Sequence, residues 1–114
     1  MKIINQTKGT TLAQNASLAK NIFTRAIGLL NRSSLNKDEA LIIMPCNSIH
    51  TFFMRFPIDV IFVDRNNKVI KALSSVKPFR LSGIYLSSSF VIELPAGTLQ
   101  NIPTAIGDLV LIEQ

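Results

Sequence analysis

The sequence predicts an α+β domain, mainly β, built on a curved antiparallel sheet or small barrel with one principal helix at about residues 18–30. Three observations predict it. Short apolar and β-branched runs alternate with turn-forming residues along most of the 114 positions. One stretch, Leu18 to Leu30, instead carries its apolar residues at spacings of three and four. Hydrophobic residues make up 47% of the chain against 17% charged, which suits one buried core and leaves no disordered tail. Residues 1–114 are therefore expected to form a single domain, and closing the sheet on itself would hide its edges.

Taken in order, Lys2 to Asn5 and Thr10 to Gln14 flank the polar turn Gln6 to Gly9 and suit a first hairpin. From Leu18 the pattern turns helical: Leu18, Ile22, Phe23, Ala26, Ile27 and Leu30 recur on one side, with Lys20, Asn21, Thr24 and Arg25 opposite. Ser17 is placed as the N-cap, Gly28 weakens the last turn, and Asn31 to Asp38 follows as a loop. Ala40 to Met44 is a continuous apolar run ended by Pro45, the signature of a strand covered on both faces. Ile49 to Phe56 is expected as a second strand, with Pro57 marking a bulge or an edge before Ile58 to Val63. Arg65-Asn66-Asn67-Lys68 makes a tight hairpin to Val69–Leu73, because adjacent asparagines tolerate the positive φ it needs.

Ser74 to Ser89 is serine-rich and irregular, includes a short strand candidate at Ile84–Leu86, and reads as the functional or mobile loop. Phe90 to Leu94 returns to strand, with Phe90, Ile92 and Leu94 on one face and Val91 and Glu93 on the other. Pro95-Ala96-Gly97 turns the chain, Thr98 to Ile102 suits one helical turn, and Gly107-Asp108 leads into a last strand, Leu109 to Glu113.

The stretch from Cys46 to Asp64 is the densest in chemistry: it holds the single cysteine, the single histidine and Phe52, Phe53, Phe56 and Phe62. Its run SIHTFFMRFPIDVIFVD, preceded by RAIGLLNR and followed by VIELPAG and a late Gly107-Asp108, resembles the domain of unknown function 192 family of small conserved prokaryotic proteins. The resemblance extends from Leu18 to Ile112. It implies a compact β-rich fold with one helix, and it brings no activity with it.

Charge and composition bound the function classes. Twelve Lys and Arg against seven Asp and Glu give a net charge of +5, but the cations are scattered, which serves solubility before it serves nucleic-acid binding. No recognised RNA-binding motif is present, and Phe52, Phe53 and Phe56 beside Arg55 are expected in the core before they serve as a stacking platform. A nucleic-acid partner is disfavoured. No apolar run is long enough to span a bilayer and the N-terminus has no secretory h-region, so a cytoplasmic location without a membrane span is expected. One cysteine allows no intramolecular disulfide.

Cys46 and His50, four apart in C-N-S-I-H, invite a thiol–imidazole pair, yet a nucleophilic site also needs an orienting third group and an oxyanion hole, and neither is visible. A metal would need Asp59, Glu93 or Asp108 to complete the ligand set, and no spacing demands that; no metal and no cofactor are expected. Cys46, following an apolar strand and Pro45, is expected to be buried and inert. Arg55, Asp59 and Glu93 each interrupt an apolar strand, so pairing of Arg55 with one carboxylate is expected, since a lone buried charge is costly. His50, Arg55, Asp59 and Glu93, with hydroxyls from Ser48 and Thr51, are thus the candidates to line a shallow pocket or to anchor a partner-binding loop. The leading expectation is a non-enzymatic binding or accessory module for a small molecule or protein. A small enzyme using Cys46 or His50 is the alternative, and a nucleic-acid binder the second.

Overall fold

A computed structural model describes residues 1–19, 35–52 and 54–114. Among these residues the strands run β1 (Lys2–Asn5), β2 (Thr10–Ala13), β3 (Asn15–Ala19), β4 (Glu39–Ile43), β5 (Ile58–Asp64), β6 (Val69–Val76), β7 (Ser88–Pro95) and β8 (Val110–Glu113), with a short helix Thr98–Asn101 between the last two. They form a three-stranded sheet ordered β2-β1-β8 and a five-stranded sheet ordered β3-β4-β7-β5-β6. The α+β, mainly β class is observed, but as two layered sheets rather than one closed barrel. Every neighbouring pair is antiparallel except β3 with β4, which run parallel.

Period-two alternation on β5 and β7 builds two cores. Ile61 and Val63 of β5, with Phe90, Ile92 and Leu94 of β7, face the small sheet and meet Ile3, Leu12, Ala13 and Val110. Ile58, Val60, Phe62 and Val91 point the other way, where no second sheet among the described residues covers them. Leu35, Ile49, Met54 and Phe56 bury that face instead, and Tyr85 packs its ring on Phe62 with centroids 4.5 Å apart.

The hairpin between β5 and β6 forms as the paired asparagines require: Asn67 has φ 64°, and Asp64 Oδ1 accepts the N–H groups of Asn66 and Lys68 at 2.8 and 3.0 Å. The first hairpin, the turn before Thr98 and the last strand also lie where the sequence puts them.

Three expectations change. Ser17 and Leu18, expected to cap and open the helix, belong to β3; Ala16 and Ala19 turn inward and Leu18 outward, because pairing with β4 overrides the local spacing. The remainder of the expected helix, from residue 20, lies outside the described residues. Ile49–Phe56 is not a strand: it holds one isolated bridge at His50, and the N–H of Met54 turns back to the Thr51 carbonyl. Burial alternates on each side of this turn but changes phase across it: Ile49 and Thr51 are inside before it, Met54 and Phe56 inside after it, and Arg55 out. Ile84–Leu86 is likewise irregular, whereas Ser74–Val76 extends β6.

Candidate functional site

Asp59 and Glu93 are both fully buried but sit on opposite faces of the central sheet. Asp59 is opposite Leu94 and shares the face toward the small sheet, while Glu93 is opposite Val60 and Leu41 on the loop-covered face. They cannot belong to one pocket. The carboxylate of Asp59 accepts the Ser75 N–H on Oδ1 and the Leu99 N–H on Oδ2, each at 2.8 Å, so it ties the end of β6 to the first turn of the short helix. Arg55 is exposed, so the expected buried pairing with a carboxylate is not formed. Backbone N–H groups supply what the guanidinium was expected to supply.

The residues that converge are those of two facing loops. Residues 47–51 and 79–85 run antiparallel: Ser82 N–H donates to Ile49 O at 2.9 Å, Thr51 N–H to Arg80 O at 2.9 Å, and Tyr85 N–H to Asn47 O at 2.8 Å. Thr51, with no exposed surface, is the hub. Its hydroxyl donates to Lys77 O at 2.6 Å and accepts the Arg80 N–H at 2.9 Å, while its carbonyl accepts the Phe79 N–H at 2.8 Å. The Ser82 hydroxyl accepts the Ile49 N–H at 2.9 Å and donates to Gly83 O at 2.8 Å. Both loops are thus fixed at their bases, Thr51 through part-buried polar bonds and Ser82 through one part-buried and one exposed bond.

What they present outward is apolar. Phe79, Leu81, Ile84 and Leu86 are 57%, 71%, 69% and 86% exposed, and Phe52, also exposed, lies beside them through His50, which it stacks on and which bridges to Leu81. His50 and Leu81 form an antiparallel bridge, which puts their side chains on one side, and the imidazole stacks on Phe52 at 5.3 Å between centroids. His50 Nδ1 accepts the Phe52 N–H at 3.3 Å. Lys77, Arg80 and Arg55 are exposed in the same two segments. Residues 40–58 and 65–92 contain no Asp or Glu at all.

Cys46 is half-buried rather than fully buried. Its thiol donates to the Ser48 carbonyl at 3.0 Å, and a hollow of about 220 Å³ lined by Pro45, Cys46, Asn47 and Ser88 lies beside it. Ser48 therefore contributes a carbonyl here. Among the described residues no three His, Cys, Asp or Glu side chains gather where a metal could be held.

A second polar cluster sits at the far side, where Asp108 Oδ2 accepts from Lys8 Nζ, Asn5 Nδ2 and the Ala105 N–H, each at 2.9 Å. The Ala105 N–H first, and then Lys8 and Asn5, hold this carboxyl down at about 2, below its usual 3.8. Asn5, fully buried, also reaches Thr104 and accepts the Lys8 N–H. This cluster latches the first hairpin to the entry of β8.

Of the exposed residues of the 77–86 loop, the sequence points to Ile84 and Leu86 only as the bounds of a short strand and does not single out Phe79 or Leu81. An apolar residue in a loop gives no periodicity by which to tell inward from outward. A legible signal did exist in the long interval without acidic residues.

The sequence of this chain matches, over residues 3–112, the family model described as DUF192, Uncharacterized ACR, COG1430. A UPF0127 protein of Pyrococcus abyssi is 33% identical, with 95% of this chain and 94% of the relative covered. A UPF0127 protein of Thermococcus gammatolerans is 34% identical, covering 95% of this chain and 72% of the relative. The fold is similar to that of a protein of unknown function from Novosphingobium aromaticivorans, with a TM-score of 0.80 and 19% identity over 97% of this chain and 82% of that one. With a family model spanning nearly its whole length and relatives a third identical, this chain belongs to the DUF192 (UPF0127) family of uncharacterised proteins.

Proposed function

We propose that the protein is a non-enzymatic binding module whose binding face is the pair of loops 44–57 and 77–87. The observation that carries this reading is the combination of held bases and bare tips: Thr51 and Ser82 fix the loops, while Phe79, Leu81, Ile84 and Leu86 stand in solvent. Large apolar side chains gathered on a rigid support mark an interaction site, because leaving them wet opposes folding unless a partner covers them. Fixing the loops beforehand lowers the ordering cost of association. His50 and Arg55 take part on this reading from the exposed side and Thr51 and Ser48 from the supporting side. Asp59 and Glu93 act as scaffold.

An enzyme using Cys46 gains less support, since its thiol is already donating to Ser48 O and a thiolate would have no hydrogen to place there. A single-strand nucleic-acid platform gains less support, since Phe79 and the half-exposed Phe52 offer rings but Leu81, Ile84 and Leu86, the more exposed tips, are aliphatic.

The test is site-specific photocrosslinking in cells, with a diazirine side chain introduced at position 86 or, as a control, at Leu111, which is exposed on the small sheet. Adducts concentrated at position 86 are expected. Equal yields at both positions would overturn the assignment of the face.

A further inference from the structure

We propose that the partner of the paired-loop face is an anionic lipid surface, which the module touches peripherally through its loop tips. This rests on the binding-face reading and adds the chemistry of what is bound. No helix among the described residues is long and apolar enough to cross a membrane, and the contact proposed is interfacial.

Two observations select lipid. First, the apolar side chains project: Leu81, Ile84 and Leu86 are each about two-thirds exposed or more, and although Leu86 rims an open hollow of about 570 Å³ with Asp64, Arg65 and Asn66, Leu81 and Ile84 line neither that hollow nor the one of about 220 Å³ beside Cys46. Projecting Phe, Leu and Ile tips suit the headgroup–acyl boundary, which accepts apolar groups without shape complementarity. Second, the exposed charges carried by the two loops themselves are cationic, the nearest acid at the tips being Asp64, which shares a hollow with Arg65 and Leu86. Lys77 and Arg80 flank Phe79 on one loop, Arg55 stands exposed on the other, and the acid-free intervals 40–58 and 65–92 contain both segments. An anionic leaflet attracts such a surface, by about fivefold in affinity for each cation that comes near it. A neutral protein groove would derive nothing from that asymmetry.

Sedimentation of the full chain with phosphatidylcholine vesicles, pure or mixed with phosphatidylserine, tests the proposal. Binding to the mixed vesicles is expected, at least tenfold weaker to the neutral ones and falling with added salt. Leu81→Ser combined with Leu86→Ser should leave the melting temperature unchanged and lower vesicle affinity tenfold or more. Lys77→Glu with Arg80→Glu should abolish the preference for anionic lipid. The chain has no tryptophan, so Leu86→Trp supplies a single reporter whose emission should shift to the blue on contact with mixed vesicles. An unshifted emission maximum in bound protein means charge adsorption alone and overturns insertion of the tips.

A synthetic amphipathic peptide of alternating Glu and Leu serves as the protein-like probe in the same buffer. Loss-sensitive binding to that peptide with none to vesicles overturns the lipid assignment and leaves the face in place. Binding to neither probe, together with equal crosslinking at positions 86 and 111, overturns both readings.

Discussion

Asp59 shows how a buried carboxylate can be structural without an ionic partner. Each oxygen accepts one backbone N–H at 2.8 Å, from Ser75 and Leu99, and Ser75 has the left-handed φ of 52° that brings its N–H round. Asp59→Ala strands both donors in a dry site and should cost about 3–5 kcal/mol in chemical denaturation, while Asp59→Asn keeps one acceptor and should cost about half as much. Arg55 is the contrasting residue. Being exposed, it should tolerate Arg55→Ala within about 0.5 kcal/mol, a result that a melting curve would check and that a buried ion pair would not give. Thr51→Val removes the hydroxyl bonds to Lys77 and Arg80 while preserving shape, and should cost about 1–2 kcal/mol. Amide exchange should then rise at Phe79 and Arg80 first, and Thr51→Ser should restore much of the protection.

At the scale of elements, the hairpin and the paired loops show two ways to fix a connection. The β5–β6 turn is local: the Asp64 side chain accepts two N–H groups of its own turn, and Asn67 takes φ 64°. Asn67→Gly should be neutral or slightly stabilising, whereas Asn67→Val, which is strained at positive φ, should cost about 1–2 kcal/mol in thermal or urea unfolding. The 47–51 and 79–85 segments are fixed by each other instead, across about thirty residues of sequence, through Thr51 and Ser82. No local propensity encodes that contact.

At the scale of the whole molecule, the small sheet is held over the central sheet by the core between them and by one polar corner. There Val69 and Val110 N–H groups donate to Asp108 O and Asn67 O, and the Asp108 side chain gathers Lys8, Asn5 and Ala105. Because the folded carboxyl titrates at about 2 against 3.8 ordinarily, the folded state holds the charged form more strongly than the unfolded chain does. Its contribution is complete above about pH 4 and is lost as pH falls toward 2. Urea unfolding across that range should show stability declining with acid, and Asp108→Asn should flatten the decline. An unaltered slope in Asp108→Asn would place the acid sensitivity elsewhere.

The sequence by itself determined the alternation on β5 and β7, the first hairpin, the Asn66–Asn67 turn and the short helix after Gly97, since each rests on neighbours within a few residues. It also marked Thr51 and the 74–89 segment as candidates and identified the family through the run around His50. Tertiary structure alone decided the rest. It put Asp59 and Glu93 on opposite faces, because a register of one residue flips a side chain across the sheet. It made residues 15–19 an edge strand because β4 needed a partner, and it set Arg55 in solvent because the Thr51–Met54 turn breaks the strand period there. Which loop residues face outward was settled by bonds between segments distant in sequence, and those bonds leave no period in the chain to read.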